Sequence, residues 1–171
     1  MNMHNNSMEH SPYKLTDFLP LIIIFTLIIT FTFLRALTQP INWIYIMADF
    51  MGAFFVVFGG FKIMNWKLFA KAYADYDIIA HRISLYAYIY PLIECLLGIA
   101  YLAHWQLKYI SLFTAILMVV SSLGIFIALV QKKQIMCACL GTFFNIPLTN
   151  ISLVEDILMA LMAFMMFFMA H

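Results

Sequence analysis

The chain has 171 residues, of which 65% are hydrophobic and only 10% are Asp, Glu, Lys or Arg, and its formal net charge is +1. With a mean hydropathy of +0.97, it has too little polar surface to cover a soluble globule, and its nine scattered basic residues do not form the long run that nucleic-acid binding requires. The length suits one compact bundle of membrane spans, each about 20 residues, with no separate soluble module.

Residues 1–17 are a short tail in which Met1, Met3, His4, Met8 and His10 could bind a metal weakly, and disorder is the expectation for such a tail. Residues 18–37 form the first predicted span, uncharged until Arg35. The basic leader and small-residue cleavage site of a signal peptide are missing, so the span is read as retained. Gln39-Pro40 then favours a break, and a second span over 44–64 carries Asp49 near its start and Gly59-Gly60 near its end. Residues 66–82 mix Trp66, Phe69, Tyr73 and Tyr76 with Lys67, Lys71, Asp77 and Arg82 at helical spacing, which predicts an interfacial amphipathic helix. One reading makes it a headgroup-level anchor. The other makes it a lid whose Tyr76, Asp77 and Arg82 touch the cysteine-bearing loop described next.

A third span, 84–103, is expected to be interrupted by Pro91 and by Glu94-Cys95, whereas the fourth, 109–130, carries no charge. A loop over about 131–152 follows, with Cys137 and Cys139 in a Cys-x-Cys arrangement, and the fifth span, 153–169, opens on Glu155-Asp156. Five spans put Lys14, Lys62, Lys67, Lys71, Arg82, Lys132 and Lys133 on one side and Arg35 and Lys108 on the other, seven against two. The positive-inside rule then predicts a cytoplasmic N-terminus and a cytoplasmic Cys-x-Cys loop. The apolar stretch 139–148 can dip into the bilayer where neighbouring helices satisfy its backbone.

Cys137 and Cys139 are the clustered soft ligands of the chain. A thiolate is both the nucleophile of disulfide exchange and a ligand for soft metals. A disulfide across one intervening residue closes a strained ring, which favours exchange over a structural role. Two thiolates leave zinc short of four ligands, whereas Cu(I) accepts fewer and tolerates the thioether of Met136. Lys132 and Lys133 favour the thiolate by Coulomb attraction. The plain alternative is two small residues buried in a tight loop. Cys95, about 18 Å along its helix from the cytoplasmic end, reads as inert packing, or as a third thiol if the loop re-enters the membrane.

Glu94 is the main intramembrane carboxylate, and a charge there costs about 2.5–3.5 kcal/mol on insertion scales. It is read as a proton acceptor or as the counter-charge of a cation, the alternative being a packing glutamate. Glu155 and Asp156 are expected in the first turn of the fifth span behind a Ser152 cap. With Lys62 and Arg82 they are expected to form an ion-pair cluster beside the cysteine loop. Asp49 reads as a snorkelling or paired residue. Met159, Met162, Met165, Met166 and Met169 recur at helical spacing, as packing or as a thioether ladder for copper.

Together Gly59-Gly60-Phe61-Lys62, residues 73–82, residues 90–102, Cys137-Ala138-Cys139-Leu140-Gly141 and Leu153-Val154-Glu155-Asp156 resemble the MauE/DoxX-like redox-associated membrane proteins over residues 44–170. The resemblance implies an all-α polytopic bundle, a four-helix core to which the span at 18–37 is an added N-terminal helix, and a multi-pass protein of a bacterial inner membrane. It also implies thiol or cofactor-maturation chemistry of the methylamine-utilisation type, with a thioredoxin-like partner. Some relatives occur alongside heavy-metal-associated domains, which keeps a metal-carrier partner in view. Three readings follow. One is a redox partner whose Cys137 and Cys139 exchange with a thioredoxin-like protein or a hydrophobic electron carrier. Another is a copper handler using Cys137, Cys139 and Met136, and the last is a non-catalytic bundle. The resemblance favours the first.

Overall fold

The computed structural model describes residues 19–74, 82, 84–131 and 150–169. Its elements are α1 (Leu19–Thr38), α2 (Trp43–Met64), α3 (Trp66–Ala74), α4 (Ser84–Leu102), α5 (Leu107–Val130) and α6 (Asn150–Met169). The protein is all-helical among the described residues, and α1, α2, α4 and α5 are each long and apolar enough to cross a membrane. Every expected span lies within a turn of an observed helix.

Local chemistry explains the helix ends and the threonines of α1. In α1, the hydroxyls of Thr26, Thr30 and Thr32 donate one turn back, to the carbonyls of Ile22, Thr26 and Ile28 at 2.8, 2.8 and 2.9 Å. A hydroxyl paired with its own helix is tolerated in lipid. After the break at Pro40, the Asn42 side chain caps α2 by accepting from the Ile44 N–H at 2.9 Å. Between α4 and α5, His104 and Gln106 adopt positive φ angles of 51° and 46°. This left-handed backbone costs about 1–2 kcal/mol per non-glycine residue. The turn is held by Trp105 N–H to the Ala100 carbonyl and His104 N–H to the Tyr101 carbonyl, both 3.0 Å.

Three expectations change. The helix α4 runs unbroken through Pro91 and Glu94. Pro91 does remove the N–H that would bond the Ala87 carbonyl, but the helix continues on both sides of it and Pro91 is fully buried. The amphipathic helix is described only to Ala74, with Phe69, Ala70 and Tyr73 buried and Lys67 and Lys71 exposed. Ser152 lies inside α6 rather than ahead of it, so Glu155 and Asp156 fall past the first turn.

α5 and α6 pack along each other and run antiparallel, since Ser121 meets Asp156 while Lys108 lies over the Phe167 ring. The second tight pair is α2 with α4, brought together by glycines. A Cβ on Gly98 would lie 2.8 Å from the Val56 nitrogen and 2.9 Å from the Gly52 carbonyl oxygen, and a Cβ on Gly59 would lie 2.8 Å from the Cys95 sulfur. Backbone atoms on the facing helix cannot swing aside. Gly98→Ala is therefore expected to cost about 1–3 kcal/mol through overpacking. Gly60, which has nothing within 4 Å of such a Cβ, is expected to accept alanine with up to about 1 kcal/mol of gain. Melting in detergent checks both, and equal melting temperatures for the two variants would contradict this account of the α2–α4 contact.

Candidate functional site

Glycine-mediated contact between α2 and α4 brings Lys62, in the last turn of α2, onto Glu94 in the middle of α4. The ammonium Nζ donates to both carboxylate oxygens at 2.5 and 2.6 Å. Lys62 is 5% exposed and Glu94 3%, so the two charges neutralise each other away from water, as a membrane interior requires. The helix dipole adds to this, because the C-terminal turn of α2 favours a cation.

Aromatic rings from α3 and α4 close over the pair. The Lys62 Nζ lies 5.0 Å from the centroid of Tyr90 and 5.6 Å from that of Phe69, within range of cation–π attraction. Tyr73 packs against both rings, 4.7 Å from Tyr90 and 5.2 Å from Phe69. The Trp66 indole N–H fastens α3 to the Tyr88 carbonyl at 2.7 Å. Hence the short helix is a wall of the charged site.

Beyond Glu94 the polar groups continue across the bundle. The Tyr90 side chain has Glu94 and Ser121 as polar neighbours, and the Ser121 hydroxyl donates to Asp156 Oδ2 at 2.8 Å. Lys62, Glu94, Tyr90, Ser121 and Asp156 thus form a polar path over α2, α4, α5 and α6. Such groups can hold and pass protons in an apolar surrounding. Their place in the fold is specific: α5 ends at Val130 and α6 begins at Asn150, and Asp156 lies about 9 Å along the helical rise from Asn150. Both ends of the cysteine-bearing segment therefore attach to the end of the bundle that holds this path.

The expected site residues divide as follows. Glu94 is central, and Lys62, expected beside Glu155, Asp156 and Arg82, pairs with it. Arg82 is exposed. Asp156 takes the Ser121 hydroxyl, and Glu155 lines an apolar groove of about 250 Å3 with Phe25, Phe54 and Leu158. Cys95 is half-buried against Gly59. Cys137, Cys139, Met136, Tyr76 and Asp77 lie outside the described residues, as does the N-terminal tail. The methionine series splits: Met159 and Met166 are buried and Met162 packs on the core, while Met165 and Met169 point outward at 53% and 45% exposure. This is a packing face, with no continuous ladder. Among the described residues no group of three or more His, Cys, Asp and Glu side chains is arranged to hold a metal ion.

A second charged cluster, which the sequence reading left unassembled, sits at the opposite end. Asp49, 2% exposed, accepts from Arg35 Nη2 at 2.9 Å and Nε at 3.3 Å, and His104 Nε2 lies 3.0 Å from its Oδ1. Arg35 Nη2 also donates to the Leu102 carbonyl at 3.2 Å, and the His104 ring stacks on Tyr45 at 4.6 Å. The signal was present in the charges on each span near a common membrane face. Pairing them required knowing that α1 lies on α2.

No curated protein and no solved structure matches the chain. The family model described as methylamine utilisation protein MauE matches residues 38–169, from the last residue of α1 through the rest of the bundle, and the chain belongs to the MauE family.

Proposed function

We propose that this MauE-family membrane protein supports the maturation of a partner protein by thiol–disulfide exchange at Cys137 and Cys139. The observation that carries the reading is the Lys62–Glu94–Tyr90–Ser121–Asp156 polar path, buried but for its half-buried end at Asp156, at the end of the bundle where the segment bearing both cysteines leaves α5 and returns to α6. In the exchange, a thiolate of a thioredoxin-like partner attacks one sulfur of the Cys137–Cys139 disulfide, forming a mixed disulfide and releasing the other cysteine as a thiolate. The partner's second thiolate then resolves the mixed disulfide. Two electrons pass to the pair, the partner leaves as a disulfide, and the two protons of its thiols end on Cys137 and Cys139. The reverse reaction oxidises the pair. Glu94 accepts or returns one of these protons, with Lys62 holding its charge. The count of seven basic residues against two supports a cytoplasmic position for this end.

Thiol trapping in native membranes, combined with metal analysis of the purified protein, tests the reading. Cys137 and Cys139 are expected to change from alkylated to disulfide-protected on mild oxidation and back on addition of a reduced thioredoxin. Stoichiometric copper that is lost in the Cys137→Ser, Cys139→Ser variant would overturn it. Rapid labelling of the pair by a membrane-impermeant reagent on intact cells would overturn the cytoplasmic placement.

A further inference from the structure

Three hydroxyls in the seam between α4 and α5 have no hydrogen-bond partner among the described residues: Tyr101 Oη, Ser111 Oγ and Thr114 Oγ1. All three residues are 0% exposed. Elsewhere the chain settles such groups locally. Thr26, Thr30, Thr32, Thr38 and Ser122 each donate to a carbonyl of their own helix, and Ser121 donates to Asp156. Ser111 and Thr114 do neither. A buried polar group left without a hydrogen bond costs about 1–3 kcal/mol, so three of them side by side call for a common partner.

The register of α4 against α5 brings them together. Ser121 is a polar neighbour of Tyr90. Tyr101 lies eleven residues beyond Tyr90 on α4, and Ser111 lies ten residues before Ser121 on α5, so on antiparallel helices both arrive at the same depth. Thr114 shares the face of Ser111 one turn on. Both hydroxyls are polar neighbours of Tyr101 without meeting it in hydrogen-bond geometry. The Tyr101 ring stacks on Phe55 with centroids 6.2 Å apart, which keeps its hydroxyl in the seam. Leu97 and Met118, both buried, lie along their helices between this group and Glu94 and Ser121. The three hydroxyls are therefore a separate enclosed group, not an extension of the polar path.

Each of the three is neutral, and each can both donate and accept. A guest that suits them is small, uncharged and able to give and take hydrogen bonds. Buried water makes about three hydrogen bonds to groups that otherwise lack partners. We propose that Tyr101, Ser111 and Thr114 form a binding site for a water molecule that bridges α4 to α5, about 6–10 Å along the helical rise from the start of α5. The water ties together the two tight pairs, α2 with α4 and α5 with α6, which meet each other much less closely than their own members do. This site involves neither the cysteines nor Glu94, and it stands or falls independently of the thiol reading.

The test is water-edited solid-state NMR on the full chain in lipid bilayers, with the tyrosines carbon-13 labelled and the Tyr101 signal identified by its loss in Tyr101→Phe. Magnetisation is expected to pass from water to the Tyr101 ring although the residue is fully buried. The transfer should persist in Thr114→Ser, which keeps the hydroxyl. In the Ser111→Ala, Thr114→Val variant, which removes both α5 hydroxyls with little change in volume, it should be lost while the melting temperature shows the protein still folded. Two results would overturn the proposal. No transfer to Tyr101 in the wild type would mean that the hydroxyls satisfy one another or their own helix carbonyls, and transfer unchanged in the Ser111→Ala, Thr114→Val variant would mean that these residues do not hold the water.

Discussion

Replacing Glu94 with alanine is expected to cost about 3–5 kcal/mol of stability, because it removes the carboxylate that accepts both hydrogen bonds from the buried Lys62 ammonium. The rings of Tyr90 and Phe69 remain over that ammonium and offset up to about 2 kcal/mol when desolvated, so the lower half of the range is the expected outcome. The double variant Lys62→Met, Glu94→Leu should behave differently. It removes both charges and keeps similar volume, and buried pairs replaced in this way are neutral or stabilised by about 1–4 kcal/mol. Melting of the two variants in detergent, followed by size-exclusion, separates the cases. A double variant that melts as low as Glu94→Ala would mean that the loss of the pair itself, and not an unbalanced buried charge, sets the cost.

Asp49→Ala is the second large effect. It leaves Arg35 and His104 facing the site of a lost carboxylate, but the Arg35 side chain is about a third exposed and can reach water. The loss is therefore discounted to about 2 kcal/mol from the range for a fully buried pair. Since α1 buries little else, the loss should fall on its attachment. A double-mutant cycle with Arg35→Met is expected to give a coupling of about 1–3 kcal/mol in the melting free energy. A coupling near zero would show that the contact adds nothing to holding α1.

Helix number, order and approximate ends were legible in the sequence because hydrophobic length and the breaks at Pro40 and after Asn65 report directly on lipid-spanning segments. Glu94 also stood out, since a carboxylate in mid-span is costly enough to need a reason. Its partner was harder to see. Lys62 lies at the end of its helix, where proximity to Glu155 and Asp156 in the topology suggested a different pairing, and only the close approach at Gly52, Gly59 and Gly98 selects Glu94. Even so, Asp49, Gly52, Gly59 and Lys62 recur at spacings of three and seven along one helical stripe, and Tyr90, Glu94, Gly98 and Tyr101 at spacings of four and three along another on α4. Small residues in register with charged ones mark two stripes that face each other. For Asp49, Arg35 and His104 the charges near a common membrane face were visible, but not their pairing, which joins an added helix, a family helix and a turn. Pro91 costs α4 one backbone hydrogen bond without ending it, which a local rule for proline does not anticipate.

The most direct measurement of the central claim is the rate at which reduced thioredoxin reduces oxidised Cys137–Cys139 in nanodiscs, for the wild type and for the folded Lys62→Met, Glu94→Leu variant. If Glu94 handles a proton of the exchange, the variant should melt like the wild type yet react about 100-fold more slowly, the scale of a lost general acid–base. An unchanged rate in a folded double variant would contradict a role for the buried pair in thiol chemistry.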